Sequence, residues 1–102
     1  MFKSTGNGFQ MEFESGLTVS VQWNEGTYSE NRSRTREESC TAEVAVIDGG
    51  SFLRMAVEDE VLGWQSPNAV ACILSLANAS PDTLRSRAYN NDRAYWKMIE
   101  VD

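Results

Sequence analysis

The chain of 102 residues contains no histidine. That absence removes Ser-His-Asp and Cys-His nucleophile pairs, imidazole acid–base catalysis and His-ligated metals. Cysteine is scarce: Cys40 and Cys72 stand far apart and outside any C-x-x-C pattern, which gives no support to a zinc site or thioredoxin-type chemistry. Two such cysteines read as reduced thiols of a reducing compartment. No G-x-x-x-x-G-K-[ST] or G-x-G-x-x-G motif occurs, and Gly6 and Gly8 precede a strand pattern where a phosphate loop must precede a helix. Long apolar runs are also missing. The most apolar stretch, residues 69–77, is about half the length of a membrane span. The start, "MFKSTGNGFQ", has no apolar segment of the kind a signal peptide needs, so the expected location is the cytoplasm.

The residues that are present predict one domain over 1–102 of α+β class. Residues 1–8 are polar with two glycines and read as a flexible arm. From Phe9 the chain alternates, with Phe9, Met11 and Phe13 on one side and Gln10, Glu12 and Glu14 on the other, which marks a half-buried strand. Ser15 and Gly16 signal a turn, and Leu17, Val19, Val21 and Trp23 then alternate with Thr18, Ser20 and Gln22. Such a hairpin has an apolar face that needs a cover. "CTAEVAVID", a turn at Asp48, Gly49 and Gly50, and "SFLRMAV" predict a second hairpin. Its second strand has apolar residues on both faces, as a central or doubly covered strand does. Ser66 is placed to cap a helix with Pro67 at its first position, and Val70, Ile73, Leu74 and Ala77 form its inward stripe. Cys72 within it reads as core. Ser80, Pro81 and Asp82 repeat the capping pattern for a second helix, and residues 92–101 fit either a helix or a last strand. The predicted architecture is an antiparallel sheet of two β-hairpins packed against C-terminal helices.

Between the hairpins, residues 24–39 form a long polar loop whose only large apolar side chain is Tyr28. A loop of this length inside a compact domain is uncommon and is usually functional or disordered. Arg32, Arg34 and Arg36 lie at alternate positions near Tyr28, a set that can clamp phosphate or carboxylate and stack on a ring. A second arginine pair, Arg85 and Arg87, precedes Tyr89, Tyr95 and Trp96. If the two regions met, they would form a concave arginine and aromatic pocket. Glu58, Asp59 and Glu60 form an acidic turn. Its carboxylates are of the type that binds a cation or does acid–base catalysis, but adjacent carboxylates rarely converge and no calcium loop surrounds them, so a solvated turn is the expected reading. Cys40 has no histidine to activate it as a nucleophile. Each tryptophan reads first as core, with Trp64 as an apolar staple onto the helix that follows, although an exposed one would be an interface anchor.

The stretches "FKSTGNGFQMEFESGLTVSVQWNEGTYSENR", "CTAEVAVID" and "GWQSPNAVACIL" resemble small proteins of bacteriophages and prophages, over residues 2–78. The resemblance implies an accessory role such as blocking a host protein or a defence system, including CRISPR, or sequestering a nucleotide signal. It carries no residue assignments. With a net charge of −6, direct nucleic-acid and anionic-membrane binding are disfavoured, while a basic protein surface is a suitable partner. The expectation is therefore a non-enzymatic, cofactor-free inhibitor of a host protein, with a nucleic-acid-binding defence complex as its partner. Contacts are expected from the loop at Tyr28, Arg32, Arg34 and Arg36 and from Glu58, Asp59 and Glu60. A nucleotide sponge using the loop arginines or Arg85 and Arg87, a homo-oligomer built around such a site, a carboxylate-dependent hydrolase and a structural virion component are the alternatives.

Overall fold

A computed structural model describes residues 1–4, 6–33, 36–55 and 60–90, with side chains as far as Ser86. Its strands are β1 (Phe2–Ser4), β2 (Gly8–Glu12), β3 (Leu17–Gln22), β4 (Ala42–Asp48), β5 (Ser51–Phe52) and β6 (Val61–Gln65). The helices α1 (Pro67–Ala79) and α2 (Pro81–Asn90) follow. All pairings are antiparallel in the order β1-β2-β3-β4, and β4 then pairs with β5 at one end and β6 at the other. The architecture is the expected α+β one. No described helix is long and apolar enough to cross a membrane.

The β2–β3 hairpin has the register that its alternation predicts. Phe9 opposes Val21 and Met11 opposes Val19, so all the apolar side chains fall on one face. Leu17, Val19 and Val21 are buried there beside Val44 and Val46 of β4. Ile73 and Ala77 of α1, Leu84 of α2, Leu62 and Met55 complete the core. At the β4–β5 turn, Gly49 and Gly50 have φ of 60° and 90°. Positive φ at both central positions defines the two-residue turn whose twist matches a hairpin, and glycine alone adopts it without steric cost. Ser66 caps α1 through a bond from the Ala69 N–H to its Oγ at 3.1 Å, with Pro67 at the first helical position.

Several expectations are corrected. Residues 1–8 are not simply an arm, because Phe2–Ser4 pairs with β2 as an edge strand. Of the strand expected from "SFLRMAV", only Ser51 and Phe52 pair among the described residues, with Phe52 half exposed, and β4 is the doubly flanked strand instead. Strand β6 was not expected, because Gly63 interrupts its short apolar run. Cys72 is exposed, since α1 turns Ala69, Ile73 and Ala77 inward and leaves Cys72 on its outer side. The alternatives for residues 92–101 lie outside the described residues.

Candidate functional site: an arginine–tyrosine–tryptophan platform

The polar stretch at residues 24–39 is tied down by side-chain bonds to backbone rather than by regular structure. Its hub is Asn31, which is fully buried. The Asn31 Nδ2 donates to the carbonyls of Trp23, Arg36 and Glu38 at 3.0, 3.2 and 3.1 Å. Asn7 Nδ2 also donates to the Arg36 carbonyl. The indole N–H of Trp23 donates to the Glu37 carbonyl at 2.8 Å, and the Glu30 N–H donates to Thr41 Oγ1 at 2.8 Å. These bonds satisfy backbone groups that no strand ladder reaches.

The loop then docks on an irregularity in the sheet. Val44 opposes Leu62 and Ala42 opposes Gln65, so Glu43 alone faces both Gly63 and Trp64. This is a β-bulge, a device that re-aims a side chain. Trp64 is the only described non-glycine residue with positive φ, at 51°. That conformation costs a bulky L-residue roughly 1–2 kcal/mol. The Trp64 N–H donates to the Tyr28 carbonyl at 2.7 Å, and the Tyr28 N–H donates to the Glu43 carboxylate at 2.8 Å. Gly63 is required beneath the loop, because a Cβ there would lie 2.7 Å from the Tyr28 Cβ.

The outcome is a layered surface group. The Arg32 guanidinium carbon sits 4.4 Å from the Tyr28 ring centre, and the Tyr28 and Trp64 rings pack with centres 5.6 Å apart at 37°. Arg32 is exposed, and its guanidinium has no carboxylate partner among the described residues. Trp64 is 54% exposed, so it is neither core nor a staple onto α1. Its body is held by Tyr28 while the rest of the ring faces outward.

The expected site residues separate into groups. Tyr28 and Arg32 meet. Arg36 contributes its carbonyl to the Asn31 hub, and its side chain is exposed beside Glu37 and Glu38. Glu60 is exposed just before β6. Arg34, Glu58 and Asp59 lie outside the described residues, as does the Arg87 side chain. Arg85 does not join the platform. It donates to Asp48 Oδ2 at 3.0 Å, Asp82 Oδ1 at 3.1 Å and the Ser15 carbonyl at 2.7 Å. Tyr28 is anchored at Glu43, opposite Gln22, whereas Asp48 lies opposite Leu17. The two arginine regions are thus at opposite ends of β3 and β4, about 17 Å apart along the strands. Trp64, Glu43, Gly63 and Asn31 were missed as site residues, and of these only the Gly-Trp pair gave any sequence signal.

The hydrogen bond to Asp48, followed by that to Asp82, raises the Arg85 pKa above its ordinary value. Arg85 therefore acts as a fork joining the β2–β3 turn, β4 and α2. Arg85→Lys is expected to lower the urea midpoint without altering the denaturant slope, because one ammonium cannot reproduce three divergent bonds. An unchanged midpoint would show that the fork holds nothing.

A second feature lies on the other face of the sheet. An apolar cleft of about 460 Å³ opens between α1 and the β2–β3 end of the sheet, beside residues 37–41. Compared with protein-family models, with curated proteins and with solved structures, the chain gives no match in any of the three.

Proposed function

We propose that this chain is a non-enzymatic phage accessory protein. In this reading it binds and inhibits a host protein, a component of a CRISPR or other anti-phage defence system, in the host cytoplasm. The observation that carries the reading is Trp64, an exposed tryptophan held in a costly backbone conformation and braced by Tyr28 and Arg32. Tryptophan, tyrosine and arginine are the residues that dominate binding energy at protein interfaces. A side chain already fixed by its neighbours loses little entropy on binding. The charge of −6 favours association with a basic surface, such as one that otherwise binds nucleic acid. A nucleotide sponge at Arg85 is less well supported, because Arg85 is occupied by two carboxylates and stands at the other end of the sheet from Arg32.

The test is phage plaquing on bacteria that carry a defined defence system and express this protein. Wild-type protein is expected to restore plaquing, and Trp64→Gly to abolish most of the effect. That variant should remain folded. Glycine relieves the left-handed strain of roughly 1–2 kcal/mol, which offsets a ring-pair loss of about 0.5–1.5 kcal/mol. Failure to restore plaquing on any such host, together with calorimetric heat from a cyclic nucleotide, would replace inhibition by sequestration.

A further inference from the structure

We infer that the apolar cleft is a second contact site, and that it takes an apolar side chain from a basic segment of a protein partner. This rests on the reading that the chain works by binding a protein, and it adds the chemistry of what is bound. The cleft wall is an edge-to-face pair, Phe9 and Trp23, with ring centres 6.5 Å apart at 71°. Trp23 is held in place by its indole bond to the Glu37 carbonyl. Val21 and Ala42 from the sheet and Val70 and Leu74 from α1 add apolar lining, with Gln65 as a buried polar member, and Phe9, Trp23, Val70 and Leu74 are only partly buried. A volume of about 460 Å³ lies within the usual range for ligand sites and suits one or two side chains.

The rim decides the sign of the partner. Glu37 and Glu38 are exposed residues that line the cleft, and neither carboxylate has an ion pair or hydrogen bond among the described residues. Their backbone carbonyls are fixed by Trp23 and Asn31, so the acidic pair has a defined place above an apolar floor. Among the described residues, Arg36 is the one cation beside this acidic pair, which leaves the three side chains with a net negative charge. An apolar group entering the cleft with a lysine or arginine beside it would bury hydrocarbon and meet two carboxylates that have no partner among the described residues. An acidic segment would meet repulsion from the rim and from the whole chain, at −6.

The test uses no host protein. The full chain, labelled with ¹⁵N, is titrated with N-acetyl-Leu-Arg-amide, its Gln analogue and its Glu analogue while amide and indole signals are followed. The arginine peptide is expected to shift Val70, Ala71, Leu74 and the Trp23 indole, with a Kd on the order of millimolar, as suits so small a ligand. The glutamate peptide should bind at least several-fold more weakly. Glu37→Gln with Glu38→Gln should reduce the arginine peptide to the level of the glutamine one. Ala71→Trp, a change at an exposed position, should fill the mouth and abolish all shifts. Equal binding of the arginine and glutamate peptides would overturn the inference, as would shifts centred on Trp64 or no shifts at the cleft. Peptide binding that persists in Trp64→Gly would leave the cleft established even if the defence-inhibitor reading failed.

Discussion

Asn31→Asp is expected to destabilise the domain by on the order of 3 kcal/mol or more, a large part of the roughly 5–10 kcal/mol that a chain of this size has. The substitution is nearly isosteric, so packing changes little. Its effect is electrostatic. Three carbonyl oxygens converge on Asn31 Nδ2, and an oxygen in that position would face all three with no hydrogen to offer. The Asn31 Oδ1 accepts no bond, so the donor side carries the residue's contribution. Burial among carbonyl oxygens disfavours the charged form of the introduced carboxyl and raises its folded pKa above the unfolded value. The sign follows by linkage. The penalty is smallest below the unfolded pKa, near pH 4, where the protonated acid donates one bond. It grows as pH rises and is complete above the folded pKa. Urea unfolding at pH 4 and pH 8 should therefore show a wider gap from wild type at pH 8. A variant within 1 kcal/mol of wild type at both pH values would mean that Asn31 does not organise the loop.

Gly63→Ala should cost on the order of 1–3 kcal/mol. The sign is not obvious beforehand, because adding a Cβ at an ordinary φ usually stabilises by about 0.4–1 kcal/mol through the unfolded chain. Contact decides it. The new methyl would sit 2.7 Å from the Tyr28 Cβ and 3.4 Å from its carbonyl oxygen, and neither atom belongs to a flexible side-chain end. Tyr28 must retreat, which lengthens its bond from the Trp64 N–H and loosens the ring pair. A lower urea midpoint, with loss of the near-ultraviolet circular dichroism of the Tyr28–Trp64 pair, is the expected result. An alanine variant as stable as wild type with that signal intact would show that the loop does not rest on the bulge.

The parts of the fold that could be read in the chain are those with a local code. Alternation gave the β2–β3 face residue by residue, the two glycines after Asp48 gave their turn, and Ser66 with Pro67 gave the start of α1. The parts that could not be read depend on distant partners. Residues 24–39 have no periodicity, and the described ones are held by Asn31 reaching the carbonyls of Trp23, Arg36 and Glu38. Strand β6 carries a glycine and a bulge, each of which breaks the two-residue repeat.

The site was legible to the same extent. Tyr28 and Arg32 could be paired from their closeness in a polar stretch, and they do stack. Trp64 could not, because its exposure follows from one extra residue in β6 opposite Glu43. Arg85 has the same chemistry as Arg32 but stands at the other end of the sheet. No feature of composition or spacing distinguishes a structural arginine from one that is open to a partner.

The most direct test of the platform is affinity capture of tagged protein from lysate of a host bacterium, comparing wild type with Trp64→Gly at equal folded amounts. Both protein and heat-released small molecules would be identified by mass spectrometry. The expected result is one host protein retained in stoichiometric amount by wild type and reduced by about thirtyfold in affinity in the variant, the effect of losing one interface anchor. Undiminished retention by Trp64→Gly would contradict the account, as would release of a nucleotide with no protein bound.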